Sequence, residues 1–325
     1  NLYYHPYQGQ LAKRIVETSG LDRVFFCNSG TEAIEGALKM ARGHGRKISH
    51  DKYELIALEN SFHGRTLGAL SITGQPKYRE PFEPLIPGVK FIERNDVAAL
   101  EAAVNERTAG IIMEGIQGEG GVLPMTNEFF AKARALATQF DALLIQDGIQ
   151  CSVGRTGTYY SYQRFNPPIL PDVMTIAKPI ACGLPLGAVV ANEKAASAIA
   201  PGMHGTTYGG GPLTTRVALE FYSILDELLP QITRVGEYFW SELRTLQQSF
   251  SFIKEVRAAG LMIGVELDYS CKHLVQEGFN EGLLFNVTHD TVIRFLPPYI
   301  ITEKEVDRAI RSLKKIFKDE KKAGR

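Results

Sequence analysis

Asp172-Val173-Met174-Thr175-Ile176-Ala177-Lys178 is an apolar run that ends on a lysine, and the small-residue segment Pro179-Ile180-Ala181-Cys182-Gly183 follows it. Upstream, Ala142-Leu143-Leu144-Ile145 leads through Gln146 to Asp147 in the same manner. Asp147 and Lys178 stand thirty-one residues apart, about the length of one strand–helix–strand step. Such a step predicts two parallel strands that bring both charges to one edge of a sheet. Working outward, strands are predicted at Val24–Phe26, Leu55–Leu58, Val89–Ile92, Gly110–Met113, Leu143–Gln146, Val173–Ala177 and Leu186–Ala191. Helical patterns lie between several of them, notably Glu32–Ala41 and Asn127–Gln139. This alternation indicates an α/β domain with a mostly parallel central sheet flanked by helices.

Beyond the sheet, Leu213–Leu229 has helical spacing and is expected to stop at Pro230, with a second helix over Ile232–Gln248. A further α/β segment begins near residue 252, with Met262–Leu267, Val292–Phe295 and an amphipathic C-terminal helix, Glu303–Phe317. The chain therefore divides into a large domain over 1–240 and a smaller C-terminal α/β domain over 241–325. The charged tail, Lys318–Arg325, is expected to fray.

At 325 residues the chain exceeds one ordinary core, which supports that division. Lys+Arg and Asp+Glu both number 36, so no net field selects nucleic acid or a membrane surface. No apolar run is long enough for a spanning helix. The four cysteines, Cys27, Cys151, Cys182 and Cys271, are scattered and form no CxxC pair. A reducing, cytoplasmic setting is expected, with neither a disulfide frame nor a metal site. The opening Asn1-Leu2-Tyr3-Tyr4-His5-Pro6-Tyr7 lacks an initiator Met and a signal pattern, and reads as the interior of a longer protein.

A lysine and a carboxylate at one sheet edge suit pyridoxal phosphate. The lysine anchors that cofactor covalently, and the carboxylate keeps its ring nitrogen protonated. Solvated residues at strand ends would look the same, since Lys and Asp are common there. Other motifs bear on the choice. In Cys27-Asn28-Ser29-Gly30-Thr31-Glu32, Ser29 and Glu32 have capping-box spacing, so a helix should start there with bare amides and small side chains able to cradle phosphate. A capped helix alone would show the same letters. Ser61-Phe62-His63-Gly64-Arg65-Thr66 offers an aromatic to stack on a ring and a guanidinium to clamp a carboxylate. A core Phe with a surface Arg is the plainer reading. His63 has no spaced His or Cys partner, which argues against a metal role. The glycine-rich Glu114–Gly121 segment can present Gln117 and Glu119 into a cleft. His204–Gly211 carries the adjacent hydroxyls of Thr206 and Thr207, suited to phosphate oxygens. Arg294, inside the apolar stretch Thr291–Pro298, must have a partner, which a structural ion pair would also supply.

Taken together and in this order, the motifs resemble the class III (ω-amino-acid) aminotransferases of the fold-type I pyridoxal phosphate group, over essentially the whole chain. Asn1-Leu2-Tyr3-Tyr4 and Asn286–Pro298 resemble the branch that works on N-acetylornithine. The resemblance implies roles for these residues. Lys178 is the covalent anchor, Asp147 the partner of the ring nitrogen, and Gln150 the contact to the cofactor's phenolic oxygen. Ser29, Gly30 and Thr31 form the phosphate loop and Phe62 stacks on the ring. Thr207 is a phosphate ligand lent to the neighbouring subunit, which implies a homodimer with shared sites. Arg65 grips the substrate's distal carboxylate, with Thr206 also on the substrate side. Glu119 and Arg294 form a switch that masks and then exposes the arginine. The implied reaction moves the δ-amino group of N2-acetyl-L-ornithine to 2-oxoglutarate, a step of arginine biosynthesis. Ornithine, succinyldiaminopimelate or 4-aminobutyrate aminotransferases are alternatives, as is a catalytically silent binding protein of the same fold. The chain departs from the family pattern at Gly148 (usually Glu), Gly115 (usually Pro), Pro179 (usually small) and Gly211 (usually Asn), and at Cys151 and Cys182. No GxGxxG opens a helix, which disfavours a nicotinamide dehydrogenase.

Overall fold

The protein is described here from a computed structural model, which covers residues 3–322 and 324. The expectations on Asn1, Leu2, Ala323 and Arg325 lie outside these residues. The described chain forms two compact units. The first comprises 1–117, 124–153 and 159–226; the second comprises 118–123, 154–158 and 227–325. The division thus falls between Asp226 and Glu227, whereas residue 240 was expected, and two short loops from the first half of the chain belong to the second unit.

The first unit is built on a seven-stranded sheet. Its strands are β1 (Arg23–Cys27), β2 (Glu54–Leu58), β3 (Val89–Ile92), β4 (Thr108–Glu114), β5 (Leu143–Asp147), β6 (Val173–Ile176) and β7 (Gly187–Ala191). They lie in the order β1-β7-β6-β5-β4-β2-β3. The five strands β6, β5, β4, β2 and β3 run parallel, and β7 is antiparallel to both β6 and β1. The sheet is covered on both faces, which is why its strands read as unbroken apolar runs. Leu55, Ala57, Ile112, Leu143 and Ile145 face one way, onto Ala33, Ile34, Ala37, Leu38 and Ala41 of a helix over Gly30–Ile48. Their neighbours Ile56, Leu58, Ile111, Met113 and Leu144 face the other way, onto Phe129, Phe130, Ala133, Leu136 and Ala137 of the Asn127–Gln139 helix. A period of two along each strand and spacings of three and four along each helix produce this division. A helix that the sequence did not announce, Pro6–Ser19, precedes the sheet; His5 caps it, its Nδ1 accepting from the Gln8 N–H, and the helix buries Leu11 and Ile15.

The expected stop at Pro230 is not found. One helix runs over Pro212–Ser249 with Pro230 inside it. Its C-terminal part buries Ile232, Val235, Phe239, Leu243 and Leu246, and this apolar stripe holds the helix through a residue that lacks a donor.

The second unit has a four-stranded antiparallel sheet made of β8 (Ile253–Ala259), β9 (Met262–Leu267), β10 (Asn286–Thr288) and β11 (Val292–Phe295), in the order β8-β9-β11-β10. The last helix runs over Glu303–Lys322 and buries Val306, Leu313, Ile316 and Phe317. It extends well past the expected end at Phe317, so the tail through Lys322 is helical, not frayed.

Candidate active site

The parallel strands end where the chemistry-bearing residues begin. Glu114 at the end of β4 pairs in register with Asp147 at the end of β5, and Asp147 pairs with Thr175 of β6. Lys178 follows two residues after β6, on the same carboxyl edge of the sheet. That edge of an open α/β sheet is where ligands bind. A cavity of about 410 Å³ opens there, within the size range of small-molecule sites. Ser29, Gly30, Thr31, Phe62, Arg65, Asp147, Gln150 and Lys178 all line it. Eight of the expected site residues thus meet in one place.

Asp147 is almost fully buried. Its Oδ1 accepts from the Ile149 N–H at 3.0 Å and from Thr175 Oγ1 at 3.3 Å. Its Oδ2 lies 2.7 Å from Nδ1 of His63, whose side chain has no exposure. An ionised carboxylate only accepts, so Nδ1 carries the hydrogen in this contact. Three donors therefore fix the carboxylate, and sequence reasoning had assigned His63 nothing beyond the exclusion of metal. No local pattern around His63 signals that contact, which spans 84 residues of chain. Among the described residues no cluster of His, Cys, Asp and Glu could hold a metal ion.

At the other wall Ser29 caps the Gly30–Ile48 helix, accepting from the Glu32 N–H at 3.4 Å. The expected capping box closes one residue early. The Glu32 carboxylate accepts from the backbone and side-chain N–H groups of Asn28, at 2.9 and 3.0 Å. The first-turn amides of Gly30 and Thr31 have no acceptor within the helix, so they are free to meet an anion. A side chain at Gly30 would come within 2.9 Å of the Ile149 side chain, so glycine lets Ile149 pack close against the helix start. Phe62 is half-buried and meets Tyr78 edge-on, with ring centroids 5.9 Å apart. The Arg65 guanidinium lies over the Tyr78 ring at 4.8 Å; Tyr78 was not among the expected site residues.

These features suit pyridoxal phosphate. The bare helix start fits a phosphate, Phe62 a planar ring, Asp147 a ring nitrogen and the exposed Lys178 a covalent anchor. Gly148 does not disturb the fit. A Cβ there would lie 2.5 Å from Ser152 Oγ, so Ser152 fills the space that a longer residue at 148 needs. Cys151, beneath Asp147, is buried, and burial pushes its thiol up to about 11, which keeps it neutral.

Other expected residues lie elsewhere. The Thr206 hydroxyl accepts from Asn28 Nδ2 at 3.1 Å, and Thr206 and Thr207 line a separate cavity of about 270 Å³ with Phe25, Glu32 and His204. Burial and the nearby Lys39 ammonium hold the His204 imidazole below its usual range. Gln117 is buried and donates to the Glu59 carbonyl at 2.8 Å. In the second unit Arg294 Nη1 donates to Glu119 Oε1 at 2.8 Å, and Arg294 Nε donates to Asn286 Oδ1 at 3.2 Å. The arginine side chain is 7% exposed and the glutamate 31%, so the cation is the buried member of the pair.

Residues 1–317 match the sequence pattern of the family described as Aminotransferase class-III. The chain is 44% identical over 320 residues to an acetylornithine aminotransferase of Aquifex aeolicus, covering 98% of this chain and 83% of that protein. It is 43% identical to an acetylornithine aminotransferase of Methanocaldococcus jannaschii, covering 99% and 81%. Among solved structures, the ornithine aminotransferase of Toxoplasma gondii superposes with a TM-score of 0.93 at 32% identity, covering 99% of this chain and 78% of that one. The N-acetylornithine aminotransferase of Stenotrophomonas maltophilia superposes with a TM-score of 0.85 at 31% identity, covering 100% and 82%. The chain belongs to the class III aminotransferases, enzymes that work with pyridoxal 5′-phosphate.

Proposed function

We propose that this enzyme transfers the δ-amino group of N2-acetyl-L-ornithine to 2-oxoglutarate, giving N-acetylglutamate semialdehyde and glutamate. The observation that carries the reading is Lys178 and Asp147 on the wall of one cavity, beside the bare start of the Gly30–Ile48 helix. The relatives above 40% identity named for acetylornithine support the substrate. The bound cofactor supplies an electron sink for the carbon that carries the amine.

The residues divide the remaining work. With the cofactor bound, Lys178 would be its covalent anchor, and its side-chain amine would move a proton as general base and then acid. Asp147, held by three donors, keeps its charge aimed at the ring nitrogen. Ser29, Gly30 and Thr31 would hold the phosphate, Phe62 the ring face and Gln150 the phenolic oxygen. Arg65, on the wall of the cavity with Lys178, binds a substrate carboxylate, whereas Thr206 lines the other cavity. Thr207, exposed and away from its own subunit's cavity, serves the phosphate of a second copy in a homodimer. The donor has one carboxylate and the acceptor two. Glu119 therefore covers Arg294 during the first half-reaction and leaves it for the second, since an unpartnered buried cation would be costly.

Turnover of N-acetylornithine, ornithine, succinyldiaminopimelate and 4-aminobutyrate with 2-oxoglutarate tests the proposal. N-acetylornithine should give the highest kcat/KM. A higher value for another amine would reassign the substrate, and no turnover of any would favour a silent binding protein.

A further inference from the structure

Four residues form one cross-strand row in the second unit's sheet. Arg257 of β8 pairs with Gly264 of β9, Gly264 with Arg294 of β11, and Arg294 with Asn286 of β10. Residues paired in this way project from the same face of the sheet. The row therefore presents a cation, a notch without a side chain, a second cation and an amide.

The loop Gly118–Leu123 belongs to this unit and meets the row residue by residue. Arg257 Nη2 donates to the Gly121 carbonyl at 2.8 Å. Val122 enters the notch: a Cβ at Gly264 would lie 2.9 Å from the Val122 Cβ. Glu119 meets Arg294 at 2.8 Å, and its carbonyl accepts from the Thr288 hydroxyl. The fit is tight enough to hold Val122 at φ 55, a left-handed conformation that β-branched residues rarely adopt. Such a conformation persists only where its surroundings over-determine it, and Val122 is 1% exposed. Arg257 is also held by Glu255 and Glu266, so the anchor cannot swing away alone.

We propose that Arg257, Gly264 and Val122 are positioning residues that seat the Glu119 loop and so set how readily Arg294 is uncovered. The inference rests on the switch proposed for Glu119 and Arg294. Loosening the seat releases Glu119 more often, which favours ligands with two carboxylates over ligands with one. The effect is on specificity, and the groups that hold the cofactor are untouched.

The test uses the cofactor-loaded enzyme with Gly264→Ala, which fills the notch, and Val122→Gly, which empties it and relieves the positive φ. Glu119→Ala is the control for the switch itself. Calorimetry reads the affinity for glutarate relative to valerate, and hydrogen exchange reads the amides of Gly120, Gly121 and Val122. Steady-state kinetics reads kcat/KM for glutamate relative to N-acetylornithine. Both seat variants should raise the glutarate preference roughly fivefold or more and speed exchange in the loop, with the glutamate preference rising in parallel. If Gly264→Ala fails to fold, Val122→Gly carries the test. A preference within twofold of the parent in the folded seat variants, while Glu119→Ala shifts it, would overturn the seat and leave the switch standing. An unchanged preference in Glu119→Ala would overturn the switch, and the seat's role with it.

Discussion

Replacing His63 by alanine isolates the support beneath Asp147. The imidazole donates to Asp147 Oδ2 at 2.7 Å, and neither side chain has appreciable exposure. The Ile149 and Thr175 donors both serve Oδ1, so His63→Ala removes the donor to Oδ2 shown here. A hydrogen bond to a charged group contributes about 1.5–3 kcal/mol, and leaving the buried partner unsatisfied puts the loss toward the upper figure. Urea unfolding of the enzyme without cofactor should therefore show a loss of about 2–3 kcal/mol. Carried into the transition state, where the carboxylate must hold a charged ring nitrogen, the same loss lowers kcat roughly thirty- to a hundred-and-fiftyfold. His63→Gln keeps a donor and should recover part of both. A His63→Ala enzyme within about 0.5 kcal/mol of the parent and with parental kcat would refute this reasoning.

Gly148→Glu should destabilise by about 1–3 kcal/mol, because its Cβ would sit 2.5 Å from Ser152 Oγ; adding Ser152→Gly should restore most of that loss in the same unfolding assay. Pro230→Ala should stabilise by about 2 kcal/mol, the interior-helix penalty of about 3 less the unfolded-state entropy that proline removes, and a lower melting temperature would contradict it. Glu54 is subject to burial, which raises its pKa, but hydrogen bonds from Lys90 and Asn105 and the charges of Lys90 and Arg107 outweigh this and hold the carboxyl below its usual range. Its contribution is full above the ordinary Glu value of about 4.3 and is lost as pH falls through the lower folded value. The stability gap between the parent and Glu54→Gln should therefore be widest near neutrality and close below about pH 4.

The central sheet was legible because strands buried on both faces need continuous apolar runs, as in Leu143–Ile145 and Val173–Ile176. Lys178, Asp147, Phe62 and Ser29 were legible because each stands at a strand exit or a helix cap, where local sequence determines geometry. What escaped notice depends on distant partners. His63 meets Asp147 across 84 residues of chain, and nothing near either residue announces the contact. Pro230 signalled a stop that the apolar stripe from Ile232 to Leu246 overrides. The loop 118–123 reads as part of the glycine-rich segment that follows β4, yet it groups with a sheet more than a hundred residues later, where Gly264 leaves a notch for Val122.

The central claim is that Lys178 is the anchor and proton carrier of an amine transfer to 2-oxoglutarate. The most direct measurement is the rate of glutamate formation from N-acetylornithine and 2-oxoglutarate by the parent enzyme and by Lys178→Ala, each loaded with pyridoxal 5′-phosphate to the same occupancy. The account predicts steady turnover by the parent and a loss of several orders of magnitude in the variant, since no neighbouring side chain combines both roles. Near-parental turnover by Lys178→Ala, or no turnover by the parent, would contradict it.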